Sequence, residues 1–538
     1  MDYTTRLFSH GPDDASADRP ALVDADCPAR HISRRQYKSA VKRIAVGLAN
    51  LGVADQDGVG LLSDNDIYYY VLGDGAVAAG AVYAGIPTFV KQAELATAIQ
   101  TAGIKWLFAA PAFLELALAT VHDLGLPSSM VLVFDPPGLE PYTGAQASLS
   151  KLMHGADEAS FRNANEGKDP ATREAFRFFT SGSTGSVKAA IISHQASVVR
   201  ANLVSSMPGM DKPFLLMIGM FHISGILLHM GACVGGYSGY ICKGDDATTV
   251  IDKIHSLGIG ATMITPRLME TMTALPDSAE LRRRLASLQQ VSFAGAPCRQ
   301  ETVTSIRRML PDNAKLMTGY GATELPGICS IVIDDNWVTG CVGRVASCTT
   351  VRIVDPDTLQ EAPPGAAGEV CARSPASFSG YYNNAEATVK AFLPGEPGWV
   401  RTGDKGIVDP DTGLLTLLGR FKEIFKVRYE EVSPTEVESV LLQNGDVTDA
   451  LVTSTQARDD DKDRECLAYV VRRADAQLTA QQVVDFVASK LAAHKAPTGG
   501  VLFCDKIPRG TMGKPLKSEL DNVVPLPDSA RFLTLPAQ

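Results

Sequence analysis

The chain has 538 residues, 45% of them hydrophobic and 20% charged, with a net charge of −10. That length exceeds what one hydrophobic core organises, so at least two domains are expected, with the composition of an ordinary globular protein. The acidic balance argues against a nucleic-acid face, although a small nucleotide needs only a few local donors.

In chain order, the first 130 residues alternate helix and strand patterns. Ser33 with Gln36 forms a capping box for a helix whose apolar face runs Tyr37, Val41, Ile44, Leu48 and Leu51, with Gly52 just past its end. Gly58 to Leu62 reads as a buried strand, Tyr68 to Ala84 as a second helix, and Trp106 to Ala110 as another strand. This alternation predicts parallel α/β layers. Residues 140–172 are polar and read as a surface connector. Strand and helix patterns resume from Phe176 to about Thr323.

Between Lys212 and Lys243 no Asp, Glu, Lys or Arg occurs, long enough to cross a bilayer. The segment holds His222, Ser224, His229 and six glycines without a polybasic flank, so a buried core or ligand-site segment is expected over a membrane helix. From Gly340 to Leu418 short strands alternate with turns such as Asp355-Pro356 and Asp409-Pro410, a β-rich subdomain. The block from Lys422 onward carries a helix marked by Val483, Val484, Val487 and Leu491, and has the size of a small separate domain. Ten cysteines from Cys27 to Cys504, with no C-x-x-C pair and no His cluster at metal spacing, read as buried free thiols in a reducing compartment. Neither end carries an export or peroxisomal signal, and the cytosol is the expected location.

The most informative stretch is Phe178-Phe179-Thr180-Ser181-Gly182-Ser183-Thr184-Gly185-Ser186-Val187-Lys188. A strand feeds small, hydroxylated and glycine residues that can wrap phosphate oxygens, and a lysine follows. It is not a Walker A loop, because two residues separate Gly185 from Lys188. Thr180 to Lys188 followed by Ser193-His194 resembles the phosphate loop of the adenylate-forming superfamily: acyl-CoA ligases, peptide-synthetase adenylation domains and luciferases. Two positions depart, Val187 where that family commonly has Pro and Ala189 where it has Gly.

Later segments continue the resemblance in family order, closest in look to 4-coumarate–CoA ligase-like enzymes. Gly295-Ala296-Pro297 is similar to the turn bordering adenine and the acyl group. Gly319-Tyr320-Gly321-Ala322-Thr323-Glu324 is similar to a core motif in which Tyr320 faces adenine and Thr323 the α-phosphate. There Glu324 offers a hard oxygen to the Mg²⁺ of MgATP. Arg401-Thr402-Gly403-Asp404 matches the ribose segment, where a carboxylate accepts two hydroxyls at once. Gly419-Arg420-Phe421-Lys422 resembles the hinge, with Arg420 near the ribose and Lys422 as pivot. Ile507 to Lys514 resembles the motif whose lysine completes the adenylation site.

The resemblance implies a large N-terminal domain, residues 1–420, of two doubly wound α/β subdomains plus a β-rich, barrel-like subdomain. A small mobile α+β domain, 421–538, carries the catalytic lysine. It implies ATP, Mg²⁺ and either CoA or carrier-protein phosphopantetheine as cofactors, and a small carboxylic acid as substrate. Met220-Phe221-His222-Ile223-Ser224-Gly225 aligns with the wall of the acyl pocket, to which Gly319 and Ala322 would add. Amino-acid-activating relatives place an Asp where His222 stands. An uncharged imidazole offers no ion pair to an ammonium group, so an apolar aromatic or aliphatic acid is expected. Near Lys426, Tyr429 stands where the family has the glycine lining the thiol channel, and Glu431 where coumarate–CoA ligases carry Gln. Three activities stay open: a CoA ligase, an acid–AMP ligase serving a carrier-protein thiol or an amine, and a non-catalytic nucleotide-binding pseudo-ligase. No nucleic-acid or membrane partner is expected.

Overall fold

A computed structural model describes residues 1–9, 17–181, 187–205, 212–244, 246–427, 430–457, 464–509, 515–526 and 528–533. Gly182, Ser183, Thr184, Gly185, Tyr429 and Lys514 of the motifs above lie outside the described residues.

The first long helix, Arg34–Leu51, starts as its capping box requires. Gln36 N–H donates to Ser33 Oγ at 3.2 Å, and Ser33 N–H donates to Gln36 Oε1 at 2.8 Å. Gly52 ends it in the left-handed region at φ 92°. The second helix is shorter than its sequence pattern. It spans Tyr69–Ala78, and Val82–Ile86 is instead a strand parallel to Gly58–Leu62. All ten helix residues are buried, so no polar face marks where the helical period stops, and Gly80 turns the chain at φ 88°. The strand expected at Trp106 to Ala110 appears as Ile104–Ala109.

Among the described residues, one sheet has seven strands in the order Gly380–Tyr381, Val187–Ser193, Glu174–Ser181, Val82–Ile86, Gly58–Leu62, Ile104–Ala109 and Val131–Val133. A second, thirteen-stranded sheet has a parallel half running from Pro20–Asp24 through Gly239–Ile241, Phe214–Leu216, Ala261–Ile264 and Gln290–Ala294 to Lys315–Tyr320. The strand-rich stretch after residue 340 continues this ladder, because Cys341–Val345 pairs antiparallel with Cys329–Val332 on one side and Leu415–Arg420 on the other. A smaller C-terminal part follows, with a four-stranded sheet beginning Val447–Gln456 and Arg464–Arg472. Its core gathers Val432, Val437, Val452, Val470, Val484 and Phe503.

The uncharged stretch between Lys212 and Lys243 folds as strand Phe214–Leu216, helix Ile223–Gly235 and strand Gly239–Ile241. No helix of the described residues is long and apolar enough to cross a membrane. All ten cysteines are free thiols; most are buried, whereas Cys27 is exposed.

His194 joins the N-terminal helix Tyr3–Ser9 to the first sheet, its buried Nδ1 accepting Tyr3 N–H at 3.2 Å. Burial pushes the imidazole down to about 4, against the pull of Asp2, so the folded state holds it neutral. An unfolded chain takes up that proton below about 6.5, so stability falls as pH drops from 6.5 towards 4, by about 2 kcal/mol at pH 5. The thermal midpoint of His194→Asn is therefore expected to drop less between pH 7 and pH 5 than that of the parent. Equal drops would remove His194 as the cause.

Candidate active site

Parallel register brings two of the motifs side by side. Ala294 pairs with Gly319, so Gly295-Ala296-Pro297 and Tyr320-Gly321 leave neighbouring strands at their carboxyl ends, the edge where open α/β sheets bind ligands. Gly295 takes φ 92°, a turn a β-carbon would strain.

The antiparallel half of the same sheet delivers the third motif. Asp404 and Arg420 are register partners on strands Val400–Val408 and Leu415–Arg420. Asp404 Oδ1 accepts Arg420 Nε at 2.7 Å and Oδ2 accepts the Tyr320 hydroxyl at 2.6 Å. Burial, reinforced by Asp404, raises the Tyr320 phenol well above its ordinary range, so it stays a neutral donor. The start of strand Val400–Val408 is fixed by Glu369, which accepts Arg401 Nη2 at 2.6 Å and Gly403 N–H at 3.1 Å. Asp404 is thus buried yet charge-paired.

The phosphate loop bridges strands Glu174–Ser181 and Val187–Ser193, with Thr180 opposite Lys188. Strand Gly380–Tyr381 adds to this hairpin through Ala190 and Ile191. Tyr381 consequently lies between two motif residues. Lys188 Nζ sits 4.9 Å from the centre of its ring, and its hydroxyl donates to Glu324 Oε1 at 2.6 Å. Burial first, then Glu324, raises the Tyr381 phenol, keeping its proton on the donor side. Lys188, Glu324, Tyr320, Asp404 and Arg420 are therefore linked through one short turn, 321–324, and Tyr381. Nothing in the residue pattern around Gly380-Tyr381-Tyr382 singled Tyr381 out; its role follows from strand addition.

His222 caps the helix Ile223–Gly235, its Nδ1 accepting Ser224 N–H at 3.2 Å. Gly225 is required there, since a β-carbon would lie 2.7 Å from Met220 Cα. A cleft of about 190 Å³ at the strand ends is lined by Met217, Ile218, Phe89, Phe221, Leu268 and Lys243, among others. It touches the His222 segment through Gly219 and Phe221, whereas His222, Ser224, Gly225, Gly319 and Ala322 do not line it. Lys422 and Lys426 are exposed. Glu431 is paired with Lys405 at 2.5 Å, so it is not the free negative charge its sequence position suggests.

Glu324 has the chemistry to hold a hard divalent cation. A second group, not apparent from local spacing, is Asp74, His229 and Cys233, buried with their ligand atoms within 4.8 Å of one another. The Tyr37 hydroxyl and His229 Nε2 already engage Asp74 Oδ2, tying three helices together.

Clusters of this make, at the carboxyl ends of parallel strands, place the protein among α/β proteins that bind ligands at a sheet edge. Residues 12–382 match AMP-binding enzyme and residues 436–514 match the AMP-binding enzyme C-terminal domain. The chain belongs to the AMP-binding enzyme family. It is 30% identical to a phenylacetyl-CoA ligase of Aspergillus niger, over 94% of each chain. It is 28% identical to a 4-coumarate–CoA ligase-like protein of Oryza sativa, over 93% of this chain and 89% of that one. ATP-bound MatB of Rhodopseudomonas palustris superposes with a TM-score of 0.84 at 25% identity, covering 97% of this chain and 99% of that one. The amide bond synthetase McbA of Marinactinospora thermotolerans superposes with a TM-score of 0.82 at 25% identity and the same coverage.

Proposed function

We propose that this enzyme is an AMP-forming acid–thiol ligase, joining a carboxylic acid to ATP as an acyl-adenylate, releasing pyrophosphate, and passing the acyl group to the thiol of CoA. The observation that carries the reading is the linked set Lys188–Tyr381–Glu324 and Tyr320–Asp404–Arg420, a cation, a hard carboxylate, an aromatic face and a diol acceptor around one turn. That donor set fits MgATP. Thr180 to Lys188 would cradle the phosphates, Thr323 the α-phosphate, Glu324 the Mg²⁺, Tyr320 and Gly295 to Pro297 the adenine, and Asp404 the ribose. Both substrates are anionic, so catalysis is alignment and charge neutralisation at the α-phosphorus, for which Lys514 supplies the cation. We place the domain boundary at 420/421 with Lys422 as pivot.

An apolar acid without an α-ammonium group suits the site, because the position of the expected carboxylate is His222. The phenylacetyl-CoA ligase among the relatives supports that class. A second reading, transfer to a carrier-protein thiol or an amine, is favoured by Tyr429 at the channel glycine and by the likeness to an amide bond synthetase. The Glu431–Lys405 pair compensates a carboxylate that would otherwise repel the phosphates of CoA. The test is to incubate the enzyme with MgATP and a panel of aryl and aliphatic acids, with and without CoA. Pyrophosphate release with thioester formation is expected; release without thioester would move the acceptor to a carrier or an amine. No release with any acid would sink the proposal.

A further inference from the structure

The helix His194–Ser205 carries a charge where its surroundings are apolar. Arg200 is 1% exposed, beside the buried Ala196, Ala201 and Val204 of its own helix. A guanidinium in such a place is costly unless its donors are used. Arg200 uses two. Nε donates to the carbonyl of Ala376 at 2.9 Å and Nη2 to the carbonyl of Thr323 at 3.3 Å, while Nη1 is buried without a partner.

Those two carbonyls come from distant loops that meet at one place. Phe378 N–H donates to the Glu324 carbonyl at 2.7 Å, cross-tying the loops directly. The 374–378 loop is itself closed by Ser374, whose Oγ accepts Ala376 N–H at 3.2 Å and whose carbonyl accepts Ser377 N–H at 3.0 Å. On the other side the Tyr381 hydroxyl holds the Glu324 carboxylate. The turn bearing Thr323 and Glu324 is thus gripped at three points: its carboxylate, its Glu324 carbonyl and, from beneath, its Thr323 carbonyl.

We propose that Arg200 is a positioning residue for the reaction, fixing the Thr323–Glu324 peptide so that Glu324 presents its carboxylate to the divalent cation that accompanies ATP. The inference rests on the reading of Glu324 given above and adds a residue that touches neither ATP nor the acid. Only a planar fork reaches both carbonyls from one buried stem; an ammonium has the charge but not the geometry. Charge points the same way. Burial pushes Arg200 down to about 9, and Glu324 is the group that opposes this, so the buried cation and the site carboxylate sense each other.

The test is pyrophosphate exchange measured against Mg²⁺, ATP and acid concentration for Arg200→Lys, Arg200→Met, Glu324→Gln and the Arg200→Lys/Glu324→Gln double variant. Losing a hydrogen bond to a charged donor corresponds to about tenfold. Arg200→Met is therefore expected to raise the Mg²⁺ concentration for half-maximal exchange by about that factor, with Arg200→Lys intermediate and the acid KM unchanged. In the double variant the two losses should not multiply, since both act through one turn. Should Arg200→Met fail to fold, Arg200→Lys decides. A folded Arg200→Lys enzyme with parental Mg²⁺ dependence, beside a Glu324→Gln enzyme that is Mg²⁺-defective, would overturn the role of Arg200 alone. Multiplying losses, or a uniform fall in rate at every Mg²⁺ concentration, would mean that Arg200 only supports the fold. Parental Mg²⁺ dependence in Glu324→Gln would instead overturn the reading of Glu324 on which the proposal stands.

Discussion

Lys514→Ala is expected to slow acid-dependent pyrophosphate exchange by about two to three orders of magnitude, the usual consequence of removing one donor aimed at developing charge, while ATP still binds. A carboxylate approaching the α-phosphorus meets like charge, and a cation shared between the two is worth most once water is excluded. The flanks of the motif are anchored. Arg509 pairs with Asp449 at 2.6 Å, Leu516 N–H donates to the Pro508 carbonyl at 2.9 Å, and Arg509 and Pro515 form an antiparallel bridge. A truncated side chain at 514 leaves these contacts intact, so the loss falls on the chemical step. In the proposed reading ATP affinity comes from Tyr320, Asp404 and the Thr180 to Lys188 loop, which the substitution does not touch. Exchange near the parental rate, with binding intact, would refute the role of Lys514.

Asp404→Ala carries the second large effect, on ATP affinity. The carboxylate is buried, already engages Tyr320 and Arg420, and is the group proposed to accept the ribose hydroxyls. Two lost hydrogen bonds to a charged acceptor correspond to about a hundredfold or more in the KM for ATP. The acid KM should hold, because the proposed reading gives Asp404 to the ribose and the His222 segment to the acid. Asp404→Asn keeps one acceptor oxygen for Tyr320 and should fall between the two. An Asp404→Ala enzyme that folds, judged by its thermal midpoint, yet shows parental ATP saturation would place the ribose elsewhere.

The elements with strong local signals were legible in the sequence. Ser33 and Gln36 announced their helix, and Gly58 to Leu62 its strand, because capping and short apolar runs are local physics. Tyr68 to Ala84 reads as one helix in sequence but folds as helix Tyr69–Ala78 and the start of strand Val82–Ile86, because residues buried on all sides show no period. Tyr381, Arg200 and Glu369 were invisible as site residues. Each acts through a partner 32 or more residues away, so no spacing rule could find it. Asp74 and His229, 155 residues apart, meet for the same reason.

By itself the sequence determined which chemical groups are available and in what order: a hydroxyl- and glycine-rich loop ending in Lys188, then Glu324, Asp404 and Lys514. Tertiary structure alone decided how they are held. Register sets Asp404 opposite Arg420, strand addition sets Tyr381 between Lys188 and Glu324, and the buried Arg200 ties two loops under Thr323. The physical reason is one of range. Residue type and capping act within a few positions, whereas register and burial depend on where distant segments meet.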